Sequence, residues 1–303
     1  MKLAIFGSGG VGGYFGARLA AAGNEVHFIA RGAHLRAMRE NGLKVESALG
    51  NVHVKPVLAH EDAAGIGPVD VVIFAVKLRD VEAAAQRVRP LLHERTLVIP
   101  FQNGIEAPAI VARAIGERHV VTGVAYIATA IGAPGVIAHT GTMQRLQVGT
   151  RAAPFVQACK AAGINIEALE DIERAQWEKF VFLVGLSGVT TLSRQPVGVC
   201  RADPELRATF EAAMTETWRL GRSRDVKLAD DFIGERMRFL DTMHPEMRTS
   251  MQHDLEQGKP LEAPWLCGAV ARMSAQAGLD APVNRTIYAA LKPYLNGSEV
   301  KAS

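Results

Sequence analysis

Two places in this 303-residue chain combine residue types and spacings that could do chemistry. The first is Lys179, within Trp177-Glu178-Lys179-Phe180-Val181-Phe182-Leu183-Val184-Gly185-Leu186. That stretch reads as a helix apolar on nearly every face, and so as a buried one. A lysine there must find a partner, carry its ammonium to water along its own stem, or lose part of its proton affinity. The last outcome makes it a general acid near neutral pH. The first two make it a structural residue, and the pattern alone leaves both open. Helical spacing puts Lys179, Leu183, Ser187 and Thr190 on one stripe, with Gly185 and Gly188 nearby to allow another element close.

The second place is Gly7-Ser8-Gly9-Gly10-Val11-Gly12, which matches G-x-G-x-x-G. The pattern is weak alone and gains meaning from its context, between a first apolar strand and a first helix. There Gly7 permits the tight turn, Gly9 lets the backbone approach a pyrophosphate, and Gly12 lets helix and strand pack closely. The helix N-terminus offers free N–H groups to phosphate. FAD competes for the same motif, and a glycine-rich turn holding nothing is the bland alternative. The second strand ends at Ala30-Arg31-Gly32, where an NAD enzyme typically carries an acid for the ribose 2′-hydroxyl. Arg31 suits a 2′-phosphate instead, which favours NADP(H); it is otherwise a solvated surface arginine.

These residues, taken with others, resemble the ketopantoate reductases (2-dehydropantoate 2-reductases), and the similarity runs over essentially the whole chain. Its landmarks are the glycine motif, the Arg31 position, Val76-Lys77, Gln102-Asn103-Gly104, Trp177-x-Lys179, Ser250-Met251-Gln252-x-Asp254 and Glu262. The resemblance implies NADPH-dependent reduction of a 2-keto acid to a 2-hydroxy acid, most directly ketopantoate to pantoate in pantothenate biosynthesis. Lys179 then resembles the general acid and Glu262 its partner beside substrate hydroxyls. Ser250 resembles a substrate-carboxylate contact, Asn103 an asparagine where cofactor and substrate meet, and Lys77 the lysine near the nicotinamide. Hydride reaches carbon while a proton reaches oxygen, so a cationic donor at that oxygen suits the transition state. Structural roles stay open for each: Ser250 and Asn103 as cap or turn residues, Glu262 at a helix N-terminus, Lys77 in solvent.

The chain departs from the family pattern at Leu183 and Ser187, where the substrate-facing stripe of the family carries asparagines. A leucine cannot hydrogen-bond a hydroxyl or carboxylate, so these two positions point to a branched or bulkier 2-keto acid or a more apolar ketone. A catalytically silent NADP(H)-binding redox sensor is an alternative from another class, although a sensor needs no proton donor. Metal chemistry has little support. His244 and His253 flank Ser250 without a matching ligand set, and no site residue is assigned to a metal.

The elements that must position these residues divide the chain in two. Up to about residue 169, buried apolar runs (Leu3–Phe6, Glu25–Ala30, Asp70–Val76, Thr96–Ile99) alternate with helical stretches. This is the pattern of a Rossmann-like doubly wound α/β sheet. Val120–Gly149, rich in Thr, Gly, Val and Ile, reads as short strands extending that sheet, and Asn165–Ala168 as a last strand. From residue 170 the pattern is all-helical. Arg174–Leu192 is one long helix or two broken at Gly188, and Asp203-Pro204-Glu205 is a strong helix start. Further helices are expected over Ala229–Thr242, Pro264–Ala277 and Asn284–Leu295. The expected domains are 1–169, binding NADP(H), and 170–303, serving substrate and dimerisation.

Composition narrows the class. The formal charge of +3 with no dense basic run argues against nucleic acid, and no apolar run is long enough for a membrane. Cys159, Cys200 and Cys267 are odd in number and widely spaced, which suits small buried thiols in a reducing cytoplasm. A homodimer acting on a small keto acid is the expected assembly.

Overall fold

The structure, a computed structural model, describes residues 1–297. The chain separates into two compact units, Met1–Ile172 and the residues from Glu173 onward.

The first unit begins β1 (Lys2–Phe6), α1 (Gly10–Ala21), β2 (Glu25–Ile29), α2 (Gly32–Asn41), β3 (Leu43–Glu46), β4 (Val52–Val54), β5 (Leu58–His60) and β6 (Val71–Phe74). It continues α3 (Val81–Gln86), β7 (Leu97–Pro100), α4 (Ala107–Ile115), β8 (Gly123–Ala133), β9 (Val136–Gly149), α5 (Ala153–Ala161) and β10 (Ile166–Leu169). Five strands form an all-parallel sheet in the order β5-β2-β1-β6-β7. The inner strands β1 and β6 are buried nearly end to end, which is why they read as continuous apolar runs.

Val120–Gly149 does not extend that sheet. β8 and β9 are long antiparallel strands of a second, five-stranded sheet. β3 and β10 pair with β9 in parallel at opposite ends, and β4 closes the edge. A lone parallel bridge joins Val120, ahead of β8, to Val98 of β7 in the first sheet. The two sheets are held by α1, which lies between them. A side chain at Gly16 would meet Ile5 and Phe28 of the first sheet at 2.7 Å, and one at Gly13 would meet Ile137 of the second at 2.8 Å. Tyr14, Phe15, Ile5, Phe28, Ile137, Leu146 and Phe155 belong to the shared core.

The second unit contains α6 (Ile172–Ser193), whose body lies in it, α7 (Val197–Ala202), α8 (Pro204–Arg222), α9 (Phe232–Thr242), α10 (Ser250–Glu256), α11 (Cys267–Gln276) and α12 (Pro282–Leu291). α6 is one unbroken helix, with Gly188 inside it, and buries Trp177, Phe180, Val181, Val184, Leu186 and Val189. Asp203 caps α8, accepting from the Leu206 N–H at 2.9 Å, with Pro204 at the first helical position. Glu216, buried in α8, accepts from the Val283 and Asn284 N–H groups at 2.8 and 2.9 Å and from Asn284 Nδ2 at 2.7 Å. It thereby satisfies donors that the start of α12 cannot pair internally. The helix expected from Pro264 begins at Cys267, after a short 3₁₀ turn at Ala263–Trp265.

Cys159, Cys200 and Cys267 are free and buried. No helix of the described residues is long and apolar enough to cross a membrane.

Candidate active site

In the first unit the candidate residues gather along the carboxyl edge of the parallel sheet. Gly7 follows β1 at a φ of +105°, a conformation that favours glycine. A side chain there would also strike the Ala75–Val76 backbone at 2.7 Å. Gly12 faces Ile5, where a Cβ would come within 2.8 Å. Gly10 lies so near Thr129 of β8 that a Cβ would stand 2.5 Å from its carbonyl oxygen. A Cβ on Gly9 would meet nothing, so the space over the start of α1 is open. Ser8 is different. It is 2% exposed, and its hydroxyl and N–H both donate to the Ile29 carbonyl at 3.1 Å. Ser8 therefore shapes the loop with its side chain turned inward, and Val11 sits half-buried in the first turn of α1.

Arg31 is exposed at the N-cap of α2, with extended backbone and no acidic residue in the first turn. Lys77 and Asn103 follow adjacent strands in step: Phe74 is paired with Pro100, and each candidate stands three residues further on. Lys77 is exposed and Asn103 half-buried. Gln102 joins the two loops, its Nε2 donating to the carbonyls of Phe74 and Val76 at 3.1 and 3.0 Å. The sequence marks Gln102 only as a neighbour of Asn103; its clamp depends on β6 and β7 lying side by side.

The open glycine turn fits a dinucleotide. The first N–H groups of α1 have no intrahelical acceptor, no side chain caps the helix, and its first turn carries no acid.

In the second unit, Lys179 is half-buried on α6. Burial pushes its ammonium down to a pKa of about 8, against the opposing pull of the Glu262 carboxylate. Glu262 stands where the 3₁₀ turn starts, but its side chain caps nothing there. The stripe along α6 changes character as it runs: Leu183 is half-buried, whereas Ser187 is 1% exposed and Thr190 fully buried. Thr190 ties the stripe to α10, since its Oγ1 lies 3.1 Å from that of Thr249. Thr249 is the N-cap of α10, accepting from the Gln252 N–H at 3.3 Å. Ser250, exposed, is the first residue of that helix. The cap is thus Thr249, not Ser250. Thr249-x-x-Gln252 has the spacing of a capping box, a signal legible in the sequence, although here Gln252 turns its Nε2 to Glu256 at 3.2 Å. Among the described residues, no group of three or more His, Cys, Asp or Glu side chains is arranged to hold a metal ion.

The first unit falls in the Rossmann class of parallel α/β folds, joined in this chain to an all-helical unit. Comparison with known proteins narrows this. Residues 3–153 match the family model described as ketopantoate reductase PanE/ApbA, and residues 171–295 its C-terminal model. An uncharacterised oxidoreductase of Bacillus subtilis, YkpB, is 31% identical over 97% of this chain and 99% of its own. A 2-dehydropantoate 2-reductase of Nostoc is 27% identical over 98% of this chain and 95% of its own. The crystal structure of a PanE/ApbA family ketopantoate reductase from Ralstonia eutropha superposes with a TM-score of 0.90 at 31% identity, covering 97% of this chain and 98% of that one. The chain belongs to the ketopantoate reductase family and is an oxidoreductase.

Proposed function

We propose that the chain reduces a 2-keto acid to a 2-hydroxy acid with NADPH, with ketopantoate or a close relative as substrate. The observation that carries this is Lys179: a half-buried lysine brought by burial to a pKa of about 8, under the influence of a carboxylate. Such a group holds its proton at neutral pH and releases it readily. Lys179 Nζ gives that proton to the ketone oxygen as charge develops there, and Glu262 keeps the ammonium form available and accepts from substrate hydroxyls.

Residues 1–169 form the nicotinamide-dinucleotide domain in this reading, and residues 170–303 serve substrate and dimerisation. The glycine turn receives the pyrophosphate through main-chain N–H groups. Arg31, with the start of α2 behind it, receives the 2′-phosphate. Lys77 and Asn103 lie toward the nicotinamide end, and a bound NADPH supplies the hydride. Ser250 meets the substrate carboxylate from the start of α10.

Leu183 favours a more apolar ketone than ketopantoate. It is the position on the stripe, one turn from Lys179, that is half-exposed and cannot hydrogen-bond. NADPH oxidation, followed by its near-ultraviolet absorbance, with a panel of 2-keto acids tests both readings. Strong turnover of ketopantoate supports the first, and preference for a branched or aryl keto acid the second. NADPH binding without turnover of any compound overturns both in favour of a silent sensor.

A further inference from the structure

His34, in the first turn of α2, reaches from that helix to both sheets' neighbourhoods. Its Nε2 lies 2.9 Å from the Ser8 carbonyl oxygen, and its Nδ1 accepts from the Gly135 N–H at 3.0 Å. A carbonyl only accepts and an amide N–H only donates, so the partners fix the ring as the neutral Nε2–H tautomer. Gly135 is the turn between β8 and β9, at a φ of +77° and packed on Ala37 of α2. One imidazole thus joins the glycine turn, the helix that opens at Arg31, and the hairpin of the second sheet.

The contact at Ser8 has a direct geometric effect. In a trans peptide the C=O and the following N–H point in opposite directions. Holding the Ser8 carbonyl on one side fixes the Gly9 N–H on the other, and the space over Gly9 is the open one. Ser8 has little freedom to turn by itself, since its N–H and hydroxyl are already committed to the Ile29 carbonyl.

We infer that His34, as a neutral imidazole, is a positioning residue for the dinucleotide: it aims the Gly9 N–H at the pyrophosphate, and its protonation releases that aim. Protonated, Nδ1 carries a hydrogen and cannot accept from Gly135, so the hairpin turn must withdraw. The ring's surroundings already disfavour the cation. Burial lowers its pKa against the opposing effect of the Ser8 carbonyl. The glycine turn Gly7–Gly12 and the hairpin turn Ile131–Val136 contain no titratable side chain. The charged residues on or at the start of α2 are Arg31, Arg36, Arg39 and Glu40, and the shift itself comes from burial and the Ser8 carbonyl.

This inference rests on the reading that the glycine turn binds a dinucleotide, and the test separates the two. NADPH dissociation constants are measured by fluorescence for the intact chain, His34→Gln and His34→Ala, from about pH 8 down to about pH 5. Gln offers an amide N–H donor and a carbonyl acceptor but does not titrate. In the unaltered chain, affinity should fall as pH drops through the His34 pKa, which lies under the ordinary imidazole value. His34→Gln should keep the affinity seen at pH 8 and lose the protein's share of the acid limb, leaving only that of the 2′-phosphate itself. His34→Ala should bind about three- to tenfold more weakly at every pH, the scale of one lost hydrogen bond. Should His34→Ala not fold, the Gln variant and the unaltered chain's pH profile still decide. Identical acid limbs in the Gln variant and the unaltered chain would overturn the role of His34 alone. No NADPH binding by the unaltered chain at pH 8 would overturn the reading of the turn as well.

Discussion

Thr190 and Thr249 share a buried hydroxyl–hydroxyl hydrogen bond of 3.1 Å that links the central helix α6 to the cap of α10. Thr190 also donates to the Leu186 carbonyl at 2.8 Å, so its single proton is used within its own helix and Thr249 supplies the proton between them. The register between the Lys179 stripe and Ser250 is therefore set by two side chains that face no solvent. Thr190→Val leaves the Thr249 hydroxyl without its acceptor and should lower stability by about 1 kcal/mol. Thr249→Ala removes the helix cap as well and should cost about 1–2 kcal/mol. Urea denaturation reads both. With Ser250 on the substrate carboxylate, Thr249→Ala should also raise the KM for the keto acid more than it lowers kcat.

Lys179→Ala should lower kcat by about 10²- to 10⁴-fold, the usual worth of a general acid, with NADPH affinity unchanged. With Lys179 as the proposed general acid, reduction needs its protonated form, so the rate should fall as pH rises through about 8. The Glu262 charge opposes the effect of burial, so Glu262→Gln should move this basic limb to lower pH. A pH–rate profile for the variant that coincides with that of the parent would remove Glu262 from this role.

The same lysine makes a prediction about folding. Its folded pKa of about 8 lies below the ordinary 10.5, so between those values the unfolded chain holds a proton that the folded chain has released. The contribution of Lys179 to stability is therefore unfavourable below about pH 8 and improves as pH rises through that window. Lys179→Met, which keeps the stem and drops the charge, should raise the melting temperature at pH 7, and by less at pH 10.

Leu183→Asn should shift preference toward hydroxylated keto acids. Its kcat/KM for ketopantoate should rise about tenfold or more if this position reads substrate polarity, on the scale of one newly satisfied polar group. An unchanged ratio between ketopantoate and a branched-chain keto acid would mean that Leu183 is a packing residue.

Arg31→Ala should weaken NADPH by about tenfold or more while leaving NADH nearly untouched, because only the former carries the 2′-phosphate. Equal losses for the two cofactors would place Arg31 on a part that both share and remove it as the reader of the 2′-phosphate. Glu216→Ala tests the helical unit independently: it unpairs the Val283 and Asn284 N–H groups at the start of α12, while Asn284 Nδ2 keeps the Ala213 carbonyl, and should cost about 2–4 kcal/mol.

The parallel sheet was legible because its inner strands are buried on both faces and so announce themselves as short unbroken apolar runs, Val71–Phe74 above all. The second sheet was not. β3 and β4 have only four and three residues, and β3 meets β9 some ninety positions later, a pairing that no local pattern encodes. β8 is buried at its start and exposed at its end, which blurs its alternation. α7 and α10, of six and seven residues, are too short to display a helical period. The tight packing of Gly7 and Gly12 could be read from the glycine turn, since a side chain at either would strike neighbouring atoms, whereas Gly9 faces open space and its expected role lies with a ligand. Ser8 could not be read so, because the direction of its hydroxyl depends on Ile29, which joins it only once β2 lies beside β1. Within the stripe on α6, spacing placed four residues on one line but could not tell that the line sinks from half-exposed Lys179 and Leu183 into the interior at Ser187.

The three cysteines give the folded chain a clock. Burial raises each thiol's pKa, that of Cys267 to about 12, so almost no thiolate exists to react while the surrounding helix stays closed. Alkylation must wait for the structure to open. Cys159 reports from the first unit, and Cys200 and Cys267 from the second. Mass spectrometry of peptides after timed exposure to iodoacetamide would record the opening of each unit at its own pace, without an engineered label.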